Sequence, residues 1–370
     1  MFTSSVSGGF FYIKTIIVII VAEIKNTVNA DPKTSLDVGI KSMIECSVEK
    51  KREDRVLKNY KIIGKVQTVS VLLFVTAFLV GCNPTENKTL DIGLMSDLGA
   101  VPIVIAKEKG FFEKENIDVN LEVFRSAVDR DSALQTNNLD GAMADMLTIF
   151  FYREAGFDMK MVSNTYGNYK LVSSPSLTSE EFMAVEKKQI GLSSNTVIDF
   201  ATSVIADEMG FTDTLDKVAI PQMPVRLEML GSNELSGATL PEPLATNAMI
   251  DGGALIGDTE GQGLYPAIMI FSQASIEENT EAIESFFLAY NEAVDYLNTT
   301  DASEYYDILV EDLGFSESLE NIFEIPEFEY IGIPDQSTFD VAQAWMQEGG
   351  LIENTYEYEA LSQLNLLPNR

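Results

Sequence analysis

From Thr89 to its end the chain alternates short apolar runs with segments of helical period, the pattern of an α/β fold with largely parallel sheet. TLDIGLM predicts a first strand and Ser96-Asp97-Leu98-Gly99-Ala100 a turn. VPIVIAKEKGFFEKEN predicts a helix, with Pro102 in its first turn and Gly110 near its end. In VNLEVF the alternation of Val119, Leu121 and Val123 predicts the second strand. A short helix in DRDSALQTNN, with Asp129 as candidate N-cap, precedes a third strand in LDGAMADM. The helix LTIFFYREAG and the strands MKMVSNTY and KLVSS follow, the apolar residues of that helix reading as core.

A new unit begins near Pro175. Leu177-Thr178-Ser179-Glu180-Glu181-Phe182 opens a capped helix, and KQIGLSS is a strand running into the helix TVIDFATSVIADEMGF. VAIPQM, VRLEMLGSNEL, GATLPE, PLATNAMIDGG and ALIGDT continue the alternation until the chain returns to strand at YPAIMIFSQA. Beyond Asn279 the pattern is mostly helical, with Ile283, Phe286, Phe287, Tyr290, Val294 and Leu297 on one buried face. No internal repeat or low-complexity segment is apparent. Two α/β units, the second inserted in the first, predict a bilobal protein. Residues 89–174 and 266–370 form one lobe and 177–262 the other, with hinge crossings at 173–177 and 261–272 and a ligand cleft between.

Upstream of this domain, Lys58, Lys61 and Lys65 precede an apolar run at 69–80. Leu79-Val80-Gly81-Cys82 resembles the lipobox of bacterial lipoproteins, whose cysteine is acylated, with chains such as palmitate, and becomes the mature N-terminus. The run is shorter than the about 20 residues that span a bilayer. Residues 57–81 therefore read as a signal peptide, 82–88 as a polar tether, and 1–56 as an extension ahead of a translation start near Leu57.

Charge and composition narrow the function. Eleven of the 25 Lys and Arg but only seven of the 57 acids precede Cys82, so the part beyond carries a net charge of −36 against −32 for the whole. Nucleic acid is excluded as a partner, because neutralising phosphates needs clustered cations. A surface of one sign favours a soluble monomer and tolerates a saline habitat. The chain has no histidine and only Cys46 and Cys82. That removes the commonest metal ligand and acid–base group, and with them zinc sites and Ser-His or Cys-His hydrolases. No catalytic residue, metal or cofactor is expected.

Particular residues carry a family resemblance. Ala106 to Phe112, Phe124 to Asp129, Ala133 to Asp140 and Gly141 to Asp145 resemble ordered segments of the solute-binding proteins of nitrate, sulfonate and taurine type ABC importers. The helix Arg226 to Leu230 and Leu240-Pro241-Glu242-Pro243-Leu244-Ala245 resemble that family's second-lobe segment. Asn137-Asn138 stands where relatives often have glycine, and both residues tolerate the left-handed conformation. The resemblance implies a type II periplasmic-binding-protein-like fold on the extracytoplasmic face of the cell membrane. It also implies a small-molecule ligand, and an ABC permease and ATPase as partners.

Ligands of such sheets sit beyond the carboxyl ends of strands, near helix N-termini. That rule selects Ser96, Asp97, Leu98 and Gly99, then Ser126, Ala127 and Val128, then Asp145 and Met146, and Tyr166 and Gly167. From the second lobe it selects Ser193, Ser194, Asn195, Thr196 and Glu242. Capping alone accounts equally for Ser96-Asp97, Asp145 and the 193–196 cluster, and a rigid turn for Glu242. Arg226 reads as an ion-paired helix residue, and Arg125 and Arg130 fit a solvated position as well as one in the site. With Asp97, Asp145 and Glu242 near the cleft, a neutral, zwitterionic or cationic ligand is favoured. Two other functions use the same pattern: an enzyme of menaquinone-pathway type, for which a lipid anchor would be superfluous, and a ligand-sensing lipoprotein without a transporter. The lipobox reading has a direct consequence: Cys82→Ser should abolish fatty-acid labelling, and retention of label would refute it.

Overall fold

The computed structural model describes residues 88–368; the expected signal peptide at 57–81, Cys82 and the extension at 1–56 lie outside the described residues. In chain order the first stretch is β1 (Lys88–Met95), α1 (Val101–Glu108), α2 (Phe111–Lys114), β2 (Ile117–Phe124), α3 (Ala127–Gln135), β3 (Gly141–Asp145), α4 (Met146–Glu154) and β4 (Met159–Asn164). The middle is β5 (Tyr169–Ser173), α5 (Ser179–Ala184), β6 (Lys188–Leu192), α6 (Val197–Glu208), β7 (Leu215–Ala219), α7 (Met223–Gly231), β8 (Gly237–Pro241), α8 (Leu244–Ile250) and β9 (Leu255–Asp258). The last is β10 (Ala267–Ser272), α9 (Gln273–Thr299), α10 (Tyr306–Leu313), α11 (Gln336–Glu348) and α12 (Tyr358–Leu361). Every strand but β7 falls on an apolar run named above; β7 begins three residues before VAIPQM and shares only Val218 and Ala219 with it. The helix expected over 101–116 divides at Gly110, whose φ of 76° is left-handed.

The strands form two five-stranded sheets, ordered β2-β1-β3-β10-β4 and β7-β6-β8-β5-β9. Both follow one pattern. The fourth strand, β10 or β5, is antiparallel to its two neighbours, while β1 and β6 pair in parallel on both sides. The sheets are therefore mixed where the alternation predicts largely parallel ones, because β5 and β10 each arrive from the other lobe.

That arrival also moves a boundary. Tyr169–Ser173 pairs with β8 and β9, so the chain leaves the first lobe at 165–168 and returns at 259–266, and the crossing expected at 173–177 lies inside the second lobe. The apolar run makes KLVSS a strand, but its sheet is set by partners far along the chain. Each lobe has its own core. The six positions on one face of α9 are all buried and pack on α1 and β1. A further apolar cluster joins the lobes, bringing Leu192, Val197, Phe200 and Ala201 against Phe150, Ile268, Phe339 and Ala342.

Superposing the strand orders exposes a repeat that the linear pattern hides. Arg130, Leu134, Asn137, Leu139, Gly141 and Ala142 recur 96 residues later as Arg226, Leu230, Asn233, Leu235, Gly237 and Ala238. Asn137 and Asn233 share a left-handed backbone, at φ 55° and 63°. Ile92-Gly93-Leu94 in β1 matches Ile190-Gly191-Leu192 in β6, with the same register onto β3 and β8. The matched glycines make room for the matched leucines: a Cβ at Gly93 would lie 2.8 Å from Leu139 Cδ1, and one at Gly191 2.7 Å from Leu235 Cδ1. Gly93→Ala and Gly191→Ala should each cost about 1–3 kcal/mol through overpacking. Urea unfolding checks this; a loss confined to one glycine would break the equivalence of the lobes.

Candidate functional site

The first residue of each crossing strand pairs with the last residue of a neighbour, Ala267 with Asp145 and Tyr169 with Pro241. Both crossings therefore run along the floor of the cleft into which the strand ends open. A cavity of about 40 Å³ lies there, room for roughly three waters at about 10–15 Å³ each. The lobes are closed over it. Leu98 N donates to Glu242 O at 3.1 Å, Met223 N to Arg125 O at 3.3 Å, and Gln222 Nε2 to Asp129 Oδ2 at 3.0 Å. At about 0.5–1.5 kcal/mol net apiece, these bonds hold the closure by a margin that ligand contacts can shift.

Of the residues selected from sequence, Asp97, Ala127, Asp145, Tyr166, Ser193 and Thr196 line the cavity. Leu98, Gly99, Gly167 and Glu242 line a smaller recess that shares Asp97 and Tyr166 with it. The others lie off both walls. Ser96 donates its hydroxyl to Leu313 O at 2.5 Å, Ser126 caps α3 through Val128 N at 3.2 Å, and Val128 and Ser194 are exposed. Met146 is fully buried in the core. Asn195 is exposed, with φ 56°, and gives its amide to Asp199.

Capping and cleft geometry coincide in the rest. Asp97 Oδ1 accepts from Gly99 N at 3.0 Å; Asp145 Oδ1 accepts from Leu147 N at 3.0 Å and Thr148 N at 3.1 Å; Thr196 Oγ1 accepts from Ile198 N at 3.2 Å. A residue that must cap a helix beyond a strand end also points at the cleft. Burial pushes the Asp97 carboxyl up to about 7, against the Gly99 amide, the Arg130 charge and the Ala100 amide. Burial likewise raises Asp145, with Arg130 opposing. Glu242 is held by Lys170 Nζ at 2.7 Å and by Thr246.

Two arginines and a threonine complete the wall unannounced by the sequence. Arg130 is 1 % exposed, not solvated, and bonds Asp131, Met143 O and Thr148 Oγ1. Arg226 is 0 % exposed and, instead of an ion pair, donates to the carbonyls of Ile220, Thr239 and Pro221. Arg125 is exposed. Thr165, from the first crossing, lines the cavity and has a buried Oγ1 without a hydrogen-bond partner among the described residues. The repeat at 96 residues would have flagged the arginines; nothing in the linear pattern marks Thr165.

Residues 83–174 match the model of the NMT1-like family. That stretch is about a quarter of the chain. No curated protein sequence matches it. Among solved structures it is similar to the ligand-binding component of an ABC-type import system from Staphylococcus aureus, solved with zinc bound, at 13% identity and a TM-score of 0.62 over 76% of this chain and 98% of that one. The periplasmic aliphatic sulphonate binding protein SsuA from Escherichia coli matches at 13% identity and TM-score 0.63, covering 75% of this chain and 98% of that one. The desulfurization enzyme DSZB matches at 11% identity and TM-score 0.56, over 76% and 97%. These likenesses establish the bilobal periplasmic-binding-protein fold for this chain, and the fold is shared by binding proteins and at least one enzyme.

The Asp97 carboxyl, faced by Arg130, Tyr166 and Tyr169, has a stability consequence. Its folded pKa lies above the ordinary value of 3.8, at about 7, so the folded state holds the proton more tightly and stability present at low pH is lost as pH rises through that window. Asp97→Asn should match the parent below 3.8 and exceed it in thermal stability above about 7. A difference that is flat with pH would place Asp97 in a water-like environment.

Proposed function

We propose that the chain is an extracytoplasmic solute-binding lipoprotein, anchored through Cys82, that closes its lobes on a small molecule and delivers it to the permease and ATPase of an ABC importer. The carrying observation is the wall of the interlobe cavity. Thr165 offers a buried hydroxyl with no partner among the described residues, an arrangement that costs about 1–3 kcal/mol unless something in the cavity hydrogen-bonds to it. Caps and charges from both lobes converge on the same space. The NMT1-like segment and the fold of import-system binding proteins support transport as the context. The sites selected at the strand ends are proposed as ligand contacts, and the acidic surface keeps the protein a monomer.

One observation favours a second reading. Asp97, at about 7, is a cavity carboxyl suited to proton transfer at neutral pH, and DSZB shows that the fold carries enzymes. With no histidine in the chain, catalysis would fall on that carboxyl, a lysine or a tyrosine.

The single tryptophan reports closure, because Trp345 of the first lobe meets Phe200 of the second at 5.7 Å between ring centroids. The full chain purified from its own membranes should release a small molecule on denaturation, unchanged in structure, and the refolded chain should show a saturable Trp345 fluorescence change when it is returned. Thr165→Val should keep the fold and weaken that binding roughly 5 to 150-fold. Chemical conversion of the released molecule by the purified chain would overturn the binding reading.

A further inference from the structure

Between α10 and α11 the chain forms no helix or strand from 323 to 335, yet it is tied down along much of that length. Asn298 of α9 holds both polar groups of Phe328, accepting from its N at 2.9 Å and donating to its O at 2.8 Å. Asn291 accepts from Ile331 N at 2.9 Å, and the Tyr358 hydroxyl donates to Pro334 O at 2.7 Å. Phe328 and Ile331 are buried in the first-lobe core. Packing against α9 accounts for these contacts and for nothing further.

The same strap also reaches both crossings between the lobes, each at its first-lobe end. Asn164, the last residue of β4 before the first crossing, exchanges two bonds with Gly332: Gly332 N donates to Asn164 Oδ1 at 2.8 Å, and Asn164 N to Gly332 O at 3.0 Å. The fit is close, since a Cβ at Gly332 would lie 3.3 Å from that Oδ1. Two residues on, Tyr166, which lines the cavity, meets Phe328 edge-on with ring centroids 6.2 Å apart. The second crossing is held where the strap enters α11. Asp335 Oδ1 caps that helix, accepting from Thr338 N and from Thr338 Oγ1, both at 2.6 Å. The Thr338 hydroxyl, fully buried and oriented by that bond, accepts from Tyr265 N at 3.0 Å.

None of these bonds runs from lobe to lobe, so none is itself a closing contact. Their effect is on freedom. A crossing gains backbone entropy when the lobes part, and a residue pinned at its end cannot contribute to that gain. We propose that the strap 328–338 is a clamp on the hinge. By pinning Asn164 and Tyr265 it confines bending to 166–168 and 259–264 and shifts the equilibrium of the lobes toward closure, with Asn164 and Thr338 as the positioning residues. The clamp acts on closure itself, whatever the cleft receives and whether the chain binds or converts it.

Two backbone amides read closure directly: Leu98 N and Met223 N donate to Glu242 O and Arg125 O on the opposite lobe. The amides of Ser96 and Ile220, bonded to Phe124 O and Leu192 O, stay within one lobe each and serve as controls. Hydrogen–deuterium exchange of the full chain, with no solute added, follows all four. Asn164→Ala and Thr338→Val should each speed exchange at Leu98 and Met223 by roughly 5 to 30-fold per residue freed, and leave Ser96 and Ile220 unchanged. Asn164→Asp keeps the acceptor for Gly332 N and Thr338→Ser keeps the hydroxyl, so both should exchange like the parent. Unchanged or slower exchange at Leu98 and Met223 in either folded variant would overturn the proposal. So would an equal rise at Ser96 and Ile220, which is lost lobe stability and not a freed hinge, or failure of the Asp and Ser variants to restore protection. Because the two substitutions release different crossings, one that does not fold leaves the other to decide.

Discussion

Two strands running against their sheets, β5 and β10, constrain everything in the cleft. Each begins beside the last residue of a strand running the other way, so each lobe is tied into its sheet at the edge that faces its partner. The two crossings, short and close together, then have no route except along the cleft floor. That is why Thr165 and Tyr166, which belong to no strand or helix, end up facing a ligand-sized space. It is also why closure can be held by a handful of interlobe hydrogen bonds and one apolar cluster: a short double connection leaves little orientational freedom to lose on closing.

Charge is distributed against the grain of the composition. A chain with a formal charge of −32 has few cations to place, yet two of them are arginines buried in the cleft wall. Such placement is tolerated because Arg130 is surrounded by carboxylates and Arg226 by carbonyl oxygens, which replace most of the lost hydration. The matched positions show how a duplicated framework acquires asymmetry. The Nη1 bond to a strand carbonyl and the glycine clearances recur in both lobes, whereas the two positions that are acidic beside Arg130 are apolar beside Arg226. The framework sets position, and the neighbours set the charge available to a ligand.

Much of the fold was legible in the chain because strand and helix formation depend on local periodicity. Nine of the ten strands, and the buried face of α9 from Ile283 to Leu297, follow from which side chains must leave water; β7, with no buried residue, does not. The helix-capping residues were legible for a related reason: Asp97, Asp145 and Thr196 sit where a strand ends and unpaired amides begin, and in this fold such places face the cleft. The sheet that receives Tyr169–Ser173 was not legible, since its hydrogen-bond partners come from residues that local pattern cannot see. The internal repeat is hidden in the linear chain because a few identities spread over a long interval carry no periodic signal until the strand registers align them.

The sequence by itself therefore determined most of the elements, their order, the caps at Asp97, Asp145 and Thr196 though not the one expected at Asp129, where Ser126 caps instead, the absence of histidine and the sign of the surface, all of which depend on residue type and near neighbours. Only the tertiary structure decided which lobe owns β5, that Arg130 and Arg226 are buried and differently compensated, and that Thr165 faces an enclosed space without a partner among the described residues. Those properties depend on desolvation and on contacts between residues remote in the chain. The same guanidinium, hydroxyl or carboxyl is inert in water and consequential once folding removes the water and fixes its neighbours.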